Sequence, residues 1–196
     1  MTKSKNAWAY NIRAHTSILQ DSPNKTNLDN YSMSILFDFY VLHCPCKSTS
    51  FQSKPFSSYG WKGSIRTNGL GKALDAAIPN GSGPFCLPKT YAGAGLDKSF
   101  RYTGLMDGQL ADTSMMRAAI AGTTDSNSYL RLFRHIRNCL AHGRFIAIDD
   151  AQSHKTNLIM EDKDNLNYTA RMVLSLDTVI KWTSIVTQGP QGIASI

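Results

Sequence analysis

The sequence lacks any uninterrupted apolar stretch of the length that crosses a bilayer, about 20 residues. Its polar start from Met1 does not resemble the apolar run of a secretory signal peptide. We therefore expect a cytoplasmic protein that contacts no membrane. Internal repeats and low-complexity tracts are also missing, and the length of 196 residues fits a single domain over residues 1–196.

Acidic residues are few, because 14 Asp and Glu stand against 21 Lys and Arg, which gives a formal net charge of +7. A polyanion is a natural partner for such a chain, since each phosphate that Lys or Arg neutralises releases a condensed counterion. Many proteins that bind no nucleic acid carry the same excess. Hydrophobic residues make up 42% of the sequence and charged residues 18%, which is typical of a globular chain.

Cysteines are also few, and their spacing does not indicate a metal site. Cys44, Cys46, Cys86 and Cys139 are expected to be free thiols, as is usual in a cytoplasmic protein. Zinc knuckles place two to four residues between paired cysteines, whereas only Pro45 separates the first two, and no second pair follows. Cys139 lies in an apolar helical pattern that favours a neutral thiol over a nucleophile. We expect neither a metal nor an organic cofactor.

Apolar periodicity predicts a mainly α-helical domain. Helices are predicted over residues 28–43, 64–78, 112–121, 127–142 and 175–188, with a weaker helical pattern over residues 7–20. Three short strands, over residues 144–149, 156–161 and 168–174, are predicted to form a β-meander before the last helix. Residues 79–110 are rich in glycine, show no clear period and are interpreted as a loop-rich insertion.

The predicted helix over residues 127–142 carries the residues with the most specific chemistry. Its apolar side chains recur at spacings of three and four, and Gly143 supplies the left-handed residue that commonly ends a helix. The last two turns present Arg137, Asn138 and His142. Because residues five apart lie about 140° apart around an ideal helix, Arg137 and His142 converge on one phosphate only if the helix meets a partner across a cleft.

These residue types suit the cleavage of a phosphodiester in RNA. The ribose 2′-hydroxyl must lose a proton as it attacks phosphorus, the leaving 5′ oxygen must gain one, and negative charge accumulates on the phosphoryl oxygens. A histidine can move a proton near neutral pH, and an arginine can hold phosphate in a fork that stays charged. The reaction needs no metal, and its products would be a 2′,3′-cyclic phosphate and a 5′-hydroxyl.

The string from Arg137 to Phe145, RNCLAHGRF, resembles the R-x4-6-H signature of HEPN domains, including the polar residue directly after the arginine. The resemblance is sharp only over about residues 129–148. It implies an α-helical bundle, a homodimer with a composite active site, and metal-independent endoribonuclease activity in bacterial defence, toxin–antitoxin or stress systems. Arg137 and His142 would then be catalytic, with Asn138 in support, and an antitoxin or nucleotidyltransferase would be a natural partner.

Four further residues are candidates for a surface that tracks RNA: Arg131, Arg134, His135 and Arg144. A charged run on a helix is also typical of a solvated face. Two other interpretations stay open. One is a non-catalytic HEPN-like module that binds RNA, a nucleotide or a protein, and the other is a structural protein in which Arg137 forms an ion pair in the core.

Overall fold

A computed structural model of the chain describes residues 17–20, 25–46, 52–86, 93–106, 110, 112–122, 127–151, 154–165 and 167–193. Within these ranges the chain forms five α-helices and one six-stranded sheet. The helices are α1 (Asn30–Leu36), α2 (Leu70–Ala76), α3 (Gly93–Tyr102), α4 (Ser128–Ala141) and α5 (Leu176–Ile193). The strands are β1 (Lys25–Thr26), β2 (Phe85–Cys86), β3 (Arg117–Ile120), β4 (Phe145–Asp149), β5 (Thr156–Asp164) and β6 (Asn167–Ser175). A π-helical segment, Phe37–His43, continues α1, and Phe56–Tyr59 is a 3-10 helix.

The predicted mainly α-helical, HEPN-like bundle is wrong, because the fold is a mixed α/β architecture built on this sheet. The strand order is β1-β4-β5-β6-β3-β2. Neighbouring strands run antiparallel, except that β2 and β3 are parallel. The strands β4, β5 and β6 confirm the predicted meander, but it forms the middle of a wider sheet instead of an appendage to a bundle.

Strand β3 explains much of that error, since it occupies a segment that was predicted to be helical. All four residues of β3 are buried, Arg117 included, so the strand has no exposed side. Ala118 and Ile120 join the core on one face of the sheet, while Ala119 joins the core on the other. A short apolar run that is buried on both faces cannot be distinguished from a buried helix by its periodicity.

The sheet separates two apolar cores. The larger core lies beneath α1, α2, α4 and α5 and contains edge-to-face aromatic contacts, with ring centroids 5.5 Å apart for Tyr40 and Phe133. The smaller core contains Leu96 and Phe100 of α3, which pack against Ile159 and Val173 of the central strands. Thus α3 and β2 lie within residues 79–110, and α3 covers the second face of the sheet.

Helix α4 begins and ends as its sequence predicts. The side chain of Asn127 caps the first turn, since its Oδ1 accepts a hydrogen bond from the N–H of Tyr129 at 2.7 Å. At the other end, Gly143 has φ +62°, and the N–H of Arg144 donates to the carbonyl oxygen of Cys139 at 2.8 Å. This Schellman arrangement turns the chain directly into β4 and leaves His142 at the helix cap.

The predictions for the outer helices have mixed outcomes. The helices predicted over residues 28–43, 64–78 and 175–188 are confirmed by α1 with its π-helical extension, by α2 and by α5. Helix α5 continues past the predicted end, with a kink at Gly189 (φ +73°), where an added Cβ would lie 2.4 Å from the carbonyl oxygen of Tyr59. The helical pattern over residues 7–16 lies outside the described ranges. Among the described helices, none has the length and apolar character needed to span a bilayer.

Candidate functional site

The end of α4 presents His142 to solvent. The backbone N–H of His142 donates to the carbonyl oxygen of Asn138 at 3.0 Å, and the residue itself is exposed. Within the described part of the chain, the imidazole has no hydrogen-bond partner. The ring is therefore accessible to a substrate.

Arg137 lies one turn earlier and is half-buried. Its Nη1 donates to Oδ1 of Asn138 at 3.1 Å, and its Nε is buried without a partner among the described residues. No carboxylate in those ranges forms an ion pair with Arg137, so the core ion pair of the structural interpretation is not observed. The guanidinium is a positioned cation whose charge no described side chain neutralises.

Asn138 is itself hydrogen-bonded to the carboxylate of Asp162, a residue that was not predicted from the sequence to belong to the site. Nδ2 of Asn138 donates to Oδ2 of Asp162 on β5 at 2.9 Å. The other carboxylate oxygen of Asp162 accepts the N–H of Lys163 at 2.9 Å. Asp162 is itself buried, so this chain of contacts fixes Arg137 through Asn138 to the middle of the sheet.

The same carboxylate binds His135 from the preceding turn of α4. Nδ1 of His135 lies 2.7 Å from Oδ2 of Asp162, and Nε2 lies 3.3 Å from the carbonyl oxygen of Ala121. Both neighbours are hydrogen-bond acceptors, so both contacts are hydrogen bonds only when both ring nitrogens carry a hydrogen. His135 therefore ties α4 to the sheet at a buried position.

The four residues predicted to track RNA do not form one surface. Arg131 and His135 are buried, with 4% and 3% of their surface exposed. Arg134 and Arg144 are half-buried, and Nη1 of Arg144 donates to the carbonyl oxygen of Lys163 at 3.1 Å. Of these four residues, Arg134 and Arg144 alone retain surface that a polyanion can reach.

Cys139 of α4 is fully buried and is not suited to nucleophilic chemistry. Burial raises the pKa of its thiol well above the usual value, and the carboxylates of Asp162 and Glu161 add to that rise. The described cysteines, Cys44, Cys46 and Cys139, are free thiols, as predicted for these three. The side chain of Cys86 lies outside the described residues.

Sequence reasoning missed Asp162 because nothing in its surroundings distinguishes it. It follows the apolar run of β5 and resembles the exposed acidic residues that commonly end a strand. A register shift between Asp162 and Lys163 is part of its setting, and such a bulge redirects side chains in a way that alternation does not predict. Only the packing of α4 on β5 brings it to Asn138.

Comparison of the chain with models of protein families, with curated protein sequences and with solved structures returned no match.

Proposed function

We propose that the protein is a metal-independent endoribonuclease whose active site is the end of α4. The proposal keeps the HEPN-like motif and its chemistry and places them on a mixed α/β fold. It is carried by one observation, the guanidinium of Arg137, which Asn138 and Asp162 hold in place without an ion-pair partner in the described ranges, close in sequence to the exposed His142.

The roles follow from the properties of each group. His142 transfers a proton to or from the 2′-hydroxyl or the leaving 5′ oxygen, because imidazole titrates close to neutral pH. Arg137 stabilises the charge that develops on the phosphoryl oxygens, because its outer nitrogen Nη2 has no partner within the described part of the chain. Asn138 positions Arg137. Arg134 and Arg144 bind the RNA backbone on either side.

A homodimer would complete the reaction. Cleavage needs one group that accepts a proton and another that donates one. One α4 end supplies a single exposed histidine, so a second copy of the chain that faces it across a two-fold axis would supply the other. An antitoxin or nucleotidyltransferase that covers this end of α4 would block the site.

The proposal is tested by incubating a labelled single-stranded RNA with the purified protein in EDTA. We expect 2′,3′-cyclic phosphate ends from the wild type and none from His142→Asn or Arg137→Gln. Sedimentation should show a dimer, and dilution to monomer should abolish cleavage. Circular dichroism establishes that each variant is folded.

The chain offers a matched control for each variant. His154→Asn makes the same change at an exposed histidine in the β4–β5 turn, where φ is +53° and asparagine is well tolerated. Arg101→Gln makes the same change at an exposed arginine of α3. Both controls should cleave as the wild type does. If the folded His142→Asn and Arg137→Gln variants still cleave RNA, the active site does not lie at the end of α4.

A second function is favoured by the inward orientation of Asn138, which binds Asp162 instead of facing solvent. The chain of contacts from Arg137 to Asp162 would then serve a non-catalytic module that binds RNA, a nucleotide or a protein through a fixed arginine. If the protein is such a module, it should bind RNA in a salt-sensitive way, and Arg137→Gln should weaken that binding. Neither the wild type nor any variant should then cleave RNA.

A further inference from the structure

A polar cavity of about 370 Å³ lies at the opposite end of the sheet from the end of α4. Asn157 at the start of β5 and Ser175 at the end of β6 line it, together with the turn around Gly81 and the β4–β5 turn. The volume is within the range of about 300–1,000 Å³ that is typical of small-molecule sites. We propose that this cavity binds a neutral, hydroxyl-rich ligand the size of a monosaccharide.

The floor of the cavity presents two polar groups from residues that are themselves almost fully buried. Asn157 and Ser175 are neighbours in the register of β5 and β6, and they are 2% and 5% exposed. Nδ2 of Asn157 donates to the carbonyl oxygen of Thr113 at 2.9 Å. Among the described residues, neither Oδ1 of Asn157 nor the hydroxyl of Ser175 has a hydrogen-bond partner. Both groups face the cavity and can pair with a ligand there.

The walls add further acceptors. The hydroxyl of Ser82 donates to the carbonyl oxygen of Pro79 at 2.7 Å, and the hydroxyl of Ser114 donates to a carboxylate oxygen of Asp112 at 2.6 Å. Since their hydrogens are engaged, both hydroxyl oxygens can only accept from a ligand. The cavity therefore favours a ligand with several donors.

The rim and one wall define the ligand class. Lys155 and Asp150 stand at the mouth with opposite charges, so the site has no excess of positive charge for a phosphate. A sugar hydroxyl both donates and accepts, and it can meet the lysine, a carboxylate, an amide and a serine in turn. Met115 and Met116 supply an apolar wall for the C–H face of a sugar ring. This combination fits a neutral polyol ring better than an anion or a flat apolar molecule.

The cavity is separate from the proposed nuclease site. Asn157 and Asp162 lie five residues apart on β5, which corresponds to about 17 Å along a strand. The ligand proposal therefore stands or fails independently of RNA cleavage.

The test is titration of the full chain with D-ribose, D-glucose and D-galactose, followed by saturation-transfer NMR, with ribose 5-phosphate and inorganic phosphate as anionic probes. We expect saturable binding of at least one neutral sugar. Ser175→Ala should weaken it by about tenfold, because it removes a hydroxyl that pairs with the ligand. Lys155→Ala should weaken it as well, whereas Lys72→Ala, at an exposed position on α2, should leave it unchanged.

Several outcomes would overturn the proposal. These are no binding of any neutral sugar, binding of ribose 5-phosphate or phosphate alone, and sugar binding that neither Ser175→Ala nor Lys155→Ala alters. If Ser175→Ala does not fold, Lys155→Ala decides, since that side chain is exposed and contributes nothing to the core.

Discussion

Glu161 and Asp162 are neighbours on β5, yet they lie on opposite faces of the sheet and bind different kinds of partner. Glu161 faces the smaller core, where Oε1 lies 3.2 Å from Nε of Arg171 and accepts the N–H of Ile18 at 2.8 Å. Asp162 faces α4, where it binds His135 and Asn138. Both carboxylates are almost completely buried.

The two acidic residues differ in where their contacts lead. Arg171 is enclosed, since its guanidinium lies 4.2 Å from the ring centroid of Tyr168 and 5.2 Å from that of Phe100. The contacts of Asp162 instead run through Asn138 to a half-buried arginine at the end of α4. We infer that Glu161 serves the fold, whereas Asp162 serves both the fold and the site.

The protonation of Glu161 reflects the same enclosure. Burial raises the pKa of its carboxyl, while the hydrogen bonds from Ser17 and Ile18 and the charge of Arg171 oppose that rise. The ionised form of Glu161 therefore depends on these partners. Removing either Glu161 or Arg171 should lower the free energy of unfolding.

The largest effect is expected from Glu161→Ala. The substitution removes the carboxylate that lies 3.2 Å from Nε of the buried Arg171, which should lower the free energy of unfolding by about 3–5 kcal/mol. Urea denaturation followed by tryptophan fluorescence measures the change. Any RNA cleavage by the proposed nuclease should follow the folded fraction alone.

A double substitution separates the charge from the packing. Glu161→Met combined with Arg171→Met replaces the pair by apolar side chains of similar length, and such replacements are often neutral or stabilising. The double variant should be more stable than Glu161→Ala. If it is less stable than that single variant, the pair contributes net stability and is not merely a compensated charge.

The sequence was most informative for elements whose signals are local. The limits of α4 follow from Asn127 and Gly143, and the meander follows from alternation in β4, β5 and β6. The class of the fold was not accessible in this way. Its additional strands are either two residues long, as in β1 and β2, or buried on both faces, as in β3, so neither length nor alternation indicates them.

The candidate site likewise has a part that local sequence reveals and a part that depends on long-range packing. Arg137, Asn138 and His142 lie close together in the sequence, so the motif could be recognised without a structure. The burial of Arg131 and His135 depends on which side of α4 meets the sheet, and the role of Asp162 depends on a contact across 24 residues of chain. Long-range packing of this kind leaves no local pattern.

A smaller effect is expected from Asp162→Asn, which keeps the shape of the side chain and removes its charge. His135 and Asn138 lose a charged hydrogen-bond acceptor, so the free energy of unfolding should fall by about 1.5–3 kcal/mol. Asp164→Asn is the matched control, because Asp164 is exposed on the same strand and its variant should stay within about 0.5 kcal/mol of the wild type. Equal effects of the two substitutions would contradict the buried role of Asp162.

The smallest effect on stability is expected from Asn138→Ala, and it discriminates best between fold and site. The variant loses one hydrogen bond to the charged Arg137 and one to the charged Asp162, but Asp162 keeps its contacts with His135 and the N–H of Lys163, so the free energy of unfolding should fall by only about 1–1.5 kcal/mol. If Asn138 positions Arg137, cleavage of RNA should nevertheless fall by about tenfold at a substrate concentration that saturates binding, because a misplaced guanidinium stabilises the transition state less well. This expectation rests on the proposed nuclease, and native cleavage by the folded variant would confine Asn138 to a structural role. In that case Asn138, like Glu161, would contribute to the stability of the fold and not to cleavage.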